Sequence, residues 1–447
     1  MNSADLGRRV GVPSTALFTD QYELTMVQAA LKAGTAGRHS VFEAFTRRLP
    51  EGRRYGVVAG TGRVLDAVEN FHFDDEMIGF LRQQRIVDEP TLEWLAGYRF
   101  SGDIWGYPEG EVYFPGSPIL RVEGSFAECV LLETVILSIL NHDSAIAAAA
   151  SRMSAAAGGR RLIEMGARRT HELSAVASAR AAYVGGFDAT SDLAAGFRYG
   201  IPTVGTSAHA FTLLHDTERD AFRAQVDSLG RGTTLLVDTY DVTEAVRAAV
   251  EIAGPKLGAV RIDSGDLLLV AHRVRQQLDE LGATGTKIVV TSDLDEYAIA
   301  SLAAAPVDAY GVGTQLVTGS GHPTCSMVYK LVARAGGAAG AEADADAPLV
   351  PVAKKSMGAK SSVGGRKWAA RRVDAGGVAE AEVIGTGSVP EELAGRELLV
   401  ELVRGGVVVA REPLEAARER HVSARAGLPM SAMQLSRGEP VIGTEYV

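Results

Sequence analysis

The chain has 447 residues, with 55 acidic against 45 basic side chains and a formal charge of −10. That balance argues against a nucleic-acid-binding surface, which needs a basic face, but leaves room for phosphate ligands held by a few local cations and backbone N–H groups. Hydrophobic residues at 46% and charged residues at 22% exclude disorder of the whole chain and suffice for a large core.

Cys129 and Cys325 cannot build a disulfide framework, and no CxxC pair points to zinc, which favours a reducing, cytoplasmic setting. Residues 1–13 are polar and lack the apolar stretch of a signal peptide. The most apolar run, residues 130–140, is interrupted by Glu133 and is too short for a bilayer, so no membrane segment is expected. Glycine is abundant, at 50 residues against a usual share of ~7%. Composition bias and phosphate-holding loops both account for such a surplus, and position separates them.

In chain order, residues 20–33 (DQYELTMVQAALKA) carry apolar side chains at helical spacing, with Asp20 at the start and Gly34 just past the end. Residues 40–45 and 111–122 alternate as strands do, while 74–84 and 91–95 have helical spacing. Residues 1–127 therefore read as a mixed α and β module. A long Ala-rich helix is predicted over 128–154. After it, short β-branched runs alternate with amphipathic helices. The predicted strands are 162–164, 182–184, 203–205, 235–239, 259–262, 287–291 and 309–313, and the predicted helices between them are 242–253, 266–281 and 296–304. The repeat is about one βα unit long, which favours parallel strands with right-handed crossovers. An irregular (β/α) barrel of about seven strands over 128–334 fits this better than an open sheet. Residues 335–348 (AGGAAGAEADADAP) are of low complexity and read as a flexible connector. In the remainder, 349–447, residues 350–372 are markedly basic, 397–411 read as a strand pair turning at Gly405-Gly406, and 412–424 as a helix. This segment is expected to pack back on the first module.

In a barrel the active site lies at the C-terminal ends of the strands. Five consecutive candidate strands run into polar or glycine-rich segments: GTSAH (205–209), DTYD (238–241), RIDSGD (261–266), TSD (291–293) and GVGT (311–314). A catalytic face is predicted there. Gly311 and Gly313 would let main-chain N–H groups approach an anion and Thr314 would add a hydroxyl, although GxG also closes ordinary turns. Asp263 and Asp266 flank Ser264 and Gly265 in a small turn suited to Mg²⁺ or ribose hydroxyls, and equally to capping a helix that starts at Asp266. His209 is the sharpest single residue. A carboxylate from Asp238 at Nδ1 would fix its tautomer and leave Nε2 as nucleophile or base, the alternative being a structural histidine. Tyr22 reads as core or ligand, Arg168 and Arg169 as phosphate ligands or solvated charge, and Phe187 as a stacking platform or core filler. No GxxxxGK[ST] is present, so any nucleotide is held without a Walker loop.

The stretches TDQYELTM (19–26), EMGARR (164–169), GGFDATS (185–191), GTSAH, VDTYD (237–241), RIDSGD, YGVGT (310–314) and YKL (329–331) follow one another in order. On these residues the chain resembles the nicotinate phosphoribosyltransferases, type II phosphoribosyltransferases. The resemblance implies an irregular α/β barrel joined to an α/β sandwich that N- and C-terminal segments share, in a homodimer. It further implies that nicotinate and phosphoribosyl pyrophosphate (PRPP) yield nicotinate mononucleotide and diphosphate in NAD biosynthesis, with coupled ATP hydrolysis and Mg²⁺. By motif, His209 resembles the histidine that ATP phosphorylates transiently, and Asp238 the group that orients it. Tyr22, Phe187, Thr206 and Arg261 would line the nicotinate pocket, with Arg261 a partner for the carboxylate. Arg168, Asp263, Ser264, Gly265, Asp266, Gly311, Gly313 and Thr314 would hold ribose and phosphates, with Asp263 or Asp266 available to Mg²⁺. The basic run from Lys354 through Arg371 resembles the family's lysine-rich stretch only loosely.

Nicotinamide remains an alternative base. Quinolinate is opposed by the chain length and by GTSAH. A barrel aldolase or isomerase would want a lysine at a strand end, and none of the five ends has one. A non-catalytic phosphoribosyl-ligand-binding homologue is the remaining alternative, opposed by the intact set of His209, Asp238 and RIDSGD.

Overall fold

The computed structural model describes residues 13–336, 348–354, 362–390 and 395–447. Residues 337–347 of the connector and 355–361 of the basic run lie outside the described residues. Contacts divide the chain into two units, one within Met1–Ala148 and Thr324–Val447 and the other Ala149–Pro323. The sequence placed these boundaries at 127/128 and 334/335. The first moves because the long helix, Glu133–Ala157, contributes Val135, Ile136, Ile139, Leu140 and Ala145 to the core of the first unit. The helical stretch Phe126–Ala157 is in fact long and apolar enough to cross a bilayer, unlike the shorter run read from sequence. However, 67% of its apolar window is buried in protein, as in a core helix.

In the first unit, the helix Gln21–Lys32 begins where the Asp20 side chain accepts the Tyr22 N–H, and Glu23, Leu24, Val27 and Ala30 turn inward. A seven-stranded antiparallel sheet has the order Leu349–Pro351, Met327–Ala335, His39–Thr46, Leu120–Ser125, Asp103–Gly106, Val400–Arg404, Val407–Val408. The C-terminal strand pair thus extends a sheet begun by N-terminal strands. A second sheet joins Gly395–Glu397, Lys367–Val373, Ala379–Thr386 and Gly443–Tyr446. Much of the basic character of 350–372 is consumed inside this unit. Lys367 Nζ lies 2.6 Å from Glu43 and Arg371 lies 3.2 Å from Glu111, with all four side chains nearly excluded from solvent. Arg371 also pairs with the buried Glu382.

The strands of the second unit are numbered here β1 (Arg161–Glu164), β2 (Ala189–Thr190), β3 (Thr234–Leu236), β4 (Ala259–Ile262), β5 (Lys287–Ser292) and β6 (Ala309–Val312). They form one parallel sheet in the order β2-β1-β6-β5-β4-β3. Its helices are α1 (Glu172–Val184), α2 (Leu193–Tyr199), α3 (His209–Leu214), α4 (Glu218–Leu229), α5 (Val242–Ala253), α6 (Leu267–Glu280), α7 (Glu296–Ser301) and α8 (Thr314–Val317). Two expectations are corrected. Residues 182–184 end helix α1 rather than forming a strand, because an Ala-Ala-Tyr-Val run after alanine-rich turns continues a helix more readily than it starts a sheet. The 203–205 segment makes only an isolated parallel bridge, Thr203 to Thr190. Among the described residues no ladder joins β2 to β3, the outer strands.

Candidate functional site

The junctions after β2, β3, β4 and β5 open their helices with a capping aspartate, Asp192, Asp241, Asp266 and Asp295, so short polar loops collect at the strands' C-terminal ends. Asp241 caps α5 by accepting the Glu244 N–H at 2.9 Å, and Asp266 caps α6 by accepting the Leu269 N–H at 3.1 Å. The capping reading of the DSGD turn therefore holds for Asp266. Gly265 is required by the same turn, since its φ of 86° lies in the left-handed region.

Asp238, just past β3, organises the neighbouring loop. Its Oδ2 accepts the Asp263 N–H at 2.9 Å and the Ser264 hydroxyl at 2.6 Å. Its side chain is only 2% exposed, and its Oδ1 is buried without a hydrogen-bond partner among the described residues. Asp263 in turn accepts the Thr291 hydroxyl from the end of β5. One chain of contacts thus runs from the end of β3 to those of β4 and β5.

His209 opens α3, with its side chain 40% exposed. The expected Asp238 contact at Nδ1 is corrected: Nδ1 lies 3.1 Å from the Thr239 hydroxyl, while Asp238 Oδ1 is 3.9 Å from Nε2, beyond hydrogen-bond range. Thr239 was missed in the sequence reading. Its signal was its place beside Asp238 in DTYD.

Arg261, in β4, donates to the Thr206 hydroxyl at 2.7 Å, and its Nε is buried without a partner among the described residues. Burial lowers this guanidinium below its ordinary value. The nearby Asp263 and Asp238 charges oppose that shift, and Arg168 adds to it. Two cations and two carboxylates therefore act on one small region. Arg168 is exposed, on the short turn Ala167–Arg169 after β1. Glu164, at the end of β1, holds this turn by accepting the Gly166 N–H and, at 2.5 Å, the Thr190 hydroxyl. Burial pushes the Glu164 carboxyl up.

Gly313 precedes α8 and leaves its backbone partly exposed with Thr314. Gly311 differs. It is buried within β6, and a Cβ there would stand 2.6 Å from Thr291 and 2.7 Å from the Met165 sulfur, so packing accounts for this glycine. Phe187 is corrected too. It is 1% exposed and offers no ring face to a substrate, which matches the core-filling reading. In the first unit, Tyr22 keeps an exposed ring, and its hydroxyl is pushed up to about 12 by burial and by the Glu133, Glu23 and Asp20 carboxylates. That unit also holds a cavity of about 430 Å³ lined by Arg47, Arg48, Arg53 and Arg437 with Glu51 and Glu439. Three of these arginines come from the FTRRLPEGRR stretch (45–54), which the sequence reading passed over.

Among the described residues no group of three or more His, Cys, Asp or Glu side chains is assembled around a metal position. Asp263 and Asp266 each commit one carboxylate oxygen within the protein and retain the other. That donor set fits a Mg²⁺ ion whose remaining ligands come from water and a phosphate substrate.

Hydroxyls, paired and unpaired carboxylates, a half-exposed imidazole and an incompletely bonded guanidinium at parallel-strand ends define an enzyme of the α/β class that handles small anionic substrates. The family described as the nicotinate phosphoribosyltransferase (NAPRTase) N-terminal domain matches residues 17–141. A nicotinate phosphoribosyltransferase of Mycobacterium tuberculosis is 55% identical over 98% of this chain and 98% of its own length. The Bacillus subtilis nicotinate phosphoribosyltransferase is 39% identical over 72% of this chain and 67% of its own. The crystal structure of human nicotinic acid phosphoribosyltransferase superimposes with a TM-score of 0.81 at 25% identity, covering 96% of this chain and 97% of that one. This chain belongs to the nicotinate phosphoribosyltransferase family.

Proposed function

We propose that this enzyme transfers the phosphoribosyl group of PRPP to nicotinate in NAD biosynthesis, and that ATP drives the reaction through a phosphohistidine at His209. The products are nicotinate mononucleotide, diphosphate, ADP and phosphate. The observation that carries this reading is the proximity of His209 Nε2 to the buried Asp238 Oδ1, 3.9 Å away, near Arg261, whose Nε lacks a partner among the described residues. A nicotinate carboxylate would complete the Arg261 guanidinium while Thr206 holds its other edge.

Cleavage of the C1–diphosphate bond develops positive charge on ribose and negative charge on the leaving group. Asp263, Ser264 and Gly265 are the groups assigned to ribose, and Arg168, Gly313 and Thr314 to phosphate, where donors aimed at developing charge lower the barrier. Mg²⁺, held by Asp263 or Asp266, would neutralise charge on the departing diphosphate. We assign the enzyme to the cytoplasm and to a homodimer. We read the second unit as an irregular barrel, a reading supported by the isolated parallel Thr190–Thr203 bridge at the edge of its six-stranded sheet.

Incubation with γ-labelled ATP is expected to place an acid-labile phosphate on the wild-type chain and none on His209→Ala. Full, ATP-responsive activity in an unlabelled His209→Ala protein would overturn the phosphohistidine.

A further inference from the structure

The loop after α8 carries an arrangement that the roles assigned so far do not use. α8 has four residues, too few to be stable alone, so what surrounds it sets where it lies. On one side it packs on the turn after β1. A Cβ added to Gly166 there would collide with Val317 and stand 3.2 Å from the Gly313 carbonyl oxygen. The Met165 N–H also donates to the Val312 carbonyl oxygen at 2.8 Å. The turn that carries Arg168 and the turn that carries Gly313 and Thr314 are thus in contact.

On the other side the chain returns through Gly319, Ser320 and Gly321, at φ values of 62°, 50° and 83°. The Ser320 N–H donates to the Gln315 carbonyl oxygen at 2.6 Å, and the Thr318 hydroxyl to that of Thr314 at 2.9 Å, so this return closes α8. The left-handed conformation suits the two glycines and is unfavourable for a serine. The serine hydroxyl shows what holds it there: Oγ donates to Glu296 Oε2 at 2.7 Å. The other oxygen of Glu296 accepts from Nε of Arg152, in the long helix Glu133–Ala157, at 3.0 Å. The Arg152 and Glu296 side chains are only 6% and 2% exposed. Glu296 is itself fixed at the start of α7, where Asp295 accepts the Tyr297 and Ala298 N–H groups. A buried carboxylate bonded on both oxygens and neutralised by a guanidinium is a rigid anchor for the loop.

We propose that Ser320 is a positioning residue for PRPP: tethered to the Glu296–Arg152 pair, it holds the return after α8, and with it Gly313 and Thr314, in place before substrate arrives. The inference rests on the assignment of Gly313 and Thr314 to phosphate above. A turn already ordered in the free enzyme loses little conformational freedom when phosphate binds, so it binds more tightly than one that must order on binding. Thr206 and Arg261, assigned to nicotinate, share none of these contacts, so the effect falls on one substrate only.

The test measures PRPP binding to the full-length wild-type and Ser320→Gly enzymes by calorimetry in Mg²⁺-containing buffer. It adds the KM of each substrate at saturating co-substrates, and thermal unfolding to verify folding. Glycine suits a φ of 50° better than serine does, so this variant removes the hydroxyl without straining the backbone. Its Kd and KM for PRPP should rise about tenfold, within the range of one hydrogen bond to a charged group, while the KM for nicotinate stays near wild type. A folded Ser320→Gly enzyme that binds PRPP as wild type does overturns the positioning role and leaves the proposed function standing. Equal losses for PRPP and nicotinate overturn it as well, because a general loosening of the fold does not choose between substrates. If Ser320→Gly does not fold, Ser320→Ala takes its place with the same outcomes. Wild-type enzyme that binds no PRPP overturns the proposed function and this inference together.

Discussion

The two units use the same kinds of charged side chain in opposite ways. In the first unit, Lys367, Arg371, Glu43 and Glu111 are buried as direct ion pairs, and Glu382 closes the group with Arg371. Against the lowering effect of burial, the Glu382 and Glu111 carboxylates hold the Arg371 guanidinium above its ordinary value. In the second unit, among the described residues, Arg261 has only a hydroxyl as side-chain hydrogen-bond partner, and Asp238 has backbone and hydroxyl donors on one oxygen and none on the other. Partnerless atoms such as Glu43 Oε1 and Arg371 Nε occur in the first unit too, but within direct ion pairs. Burial wins in the second unit, and Arg261 is lowered. Charges in direct contact with an opposite charge hold a fold together, whereas a guanidinium that meets a hydroxyl at a strand end is poised for a ligand.

The sharpest way to break that contrast is to unpair the first unit. Lys367→Met strands Glu43 as a lone buried carboxylate, and unfolding experiments should show a loss of about 3–5 kcal/mol. The double variant with Glu43→Leu should recover most of it. A loss below about 1 kcal/mol would mean that the pair does not hold the unit together.

For the second unit the expectation is reversed. Arg261→Ala should leave the melting temperature unchanged or higher, while kcat/KM for nicotinate falls about 10²–10³-fold. Nicotinamide, which has no carboxylate, should lose far less, so the preference for the acid should collapse. Equal losses for both bases would detach Arg261 from the carboxylate.

Gly311→Ala separates packing from phosphate binding. The clash with Thr291 and Met165 should destabilise the protein by about 1–3 kcal/mol, with the KM for PRPP nearly unchanged in the folded enzyme. A stable variant with a raised KM would restore Gly311 to the phosphate site.

The smallest effect concerns Glu23, which is buried against Thr19 and Thr134 and pushed up to about 7, by desolvation above all. Its folded value lies above the ordinary 4.5, so the folded state binds the extra proton. The Glu23 contribution to stability is therefore fully present below about 4.5 and is lost as pH rises through about 7. Glu23→Gln should flatten this fall in melting temperature between pH 5.5 and pH 8. An unchanged slope would show that Glu23 is ionised in the fold at neutral pH.

Much of the second unit was legible in the sequence. The helix 242–253 has the expected ends, and the strand at 259–262 likewise, because an amphipathic period and a capping aspartate are encoded within a few neighbouring residues. The strand-end motifs were readable for the same reason. Residues 182–184 were misread because three residues carry too little period to separate a strand from the end of an alanine-rich helix. Phe187 was misread because exposure depends on what packs over a ring, not on its neighbours in GGFDATS.

By itself the sequence determined the alternation of strands and helices, the polar residues that follow each strand, and the family to which the chain belongs. These are local properties or the sum of local motifs. Tertiary structure alone decided that Thr239 rather than Asp238 meets Nδ1 of His209, and that Asp238 spends one oxygen on the loop after β4. It also decided that Gly311 is a packing glycine and that Lys367 and Arg371 are interior ion-pair partners. Each of those outcomes is set by a neighbour from another strand or helix, 30 residues away for His209 and Thr239 and 324 for Glu43 and Lys367. Only the folded chain brings such partners within reach.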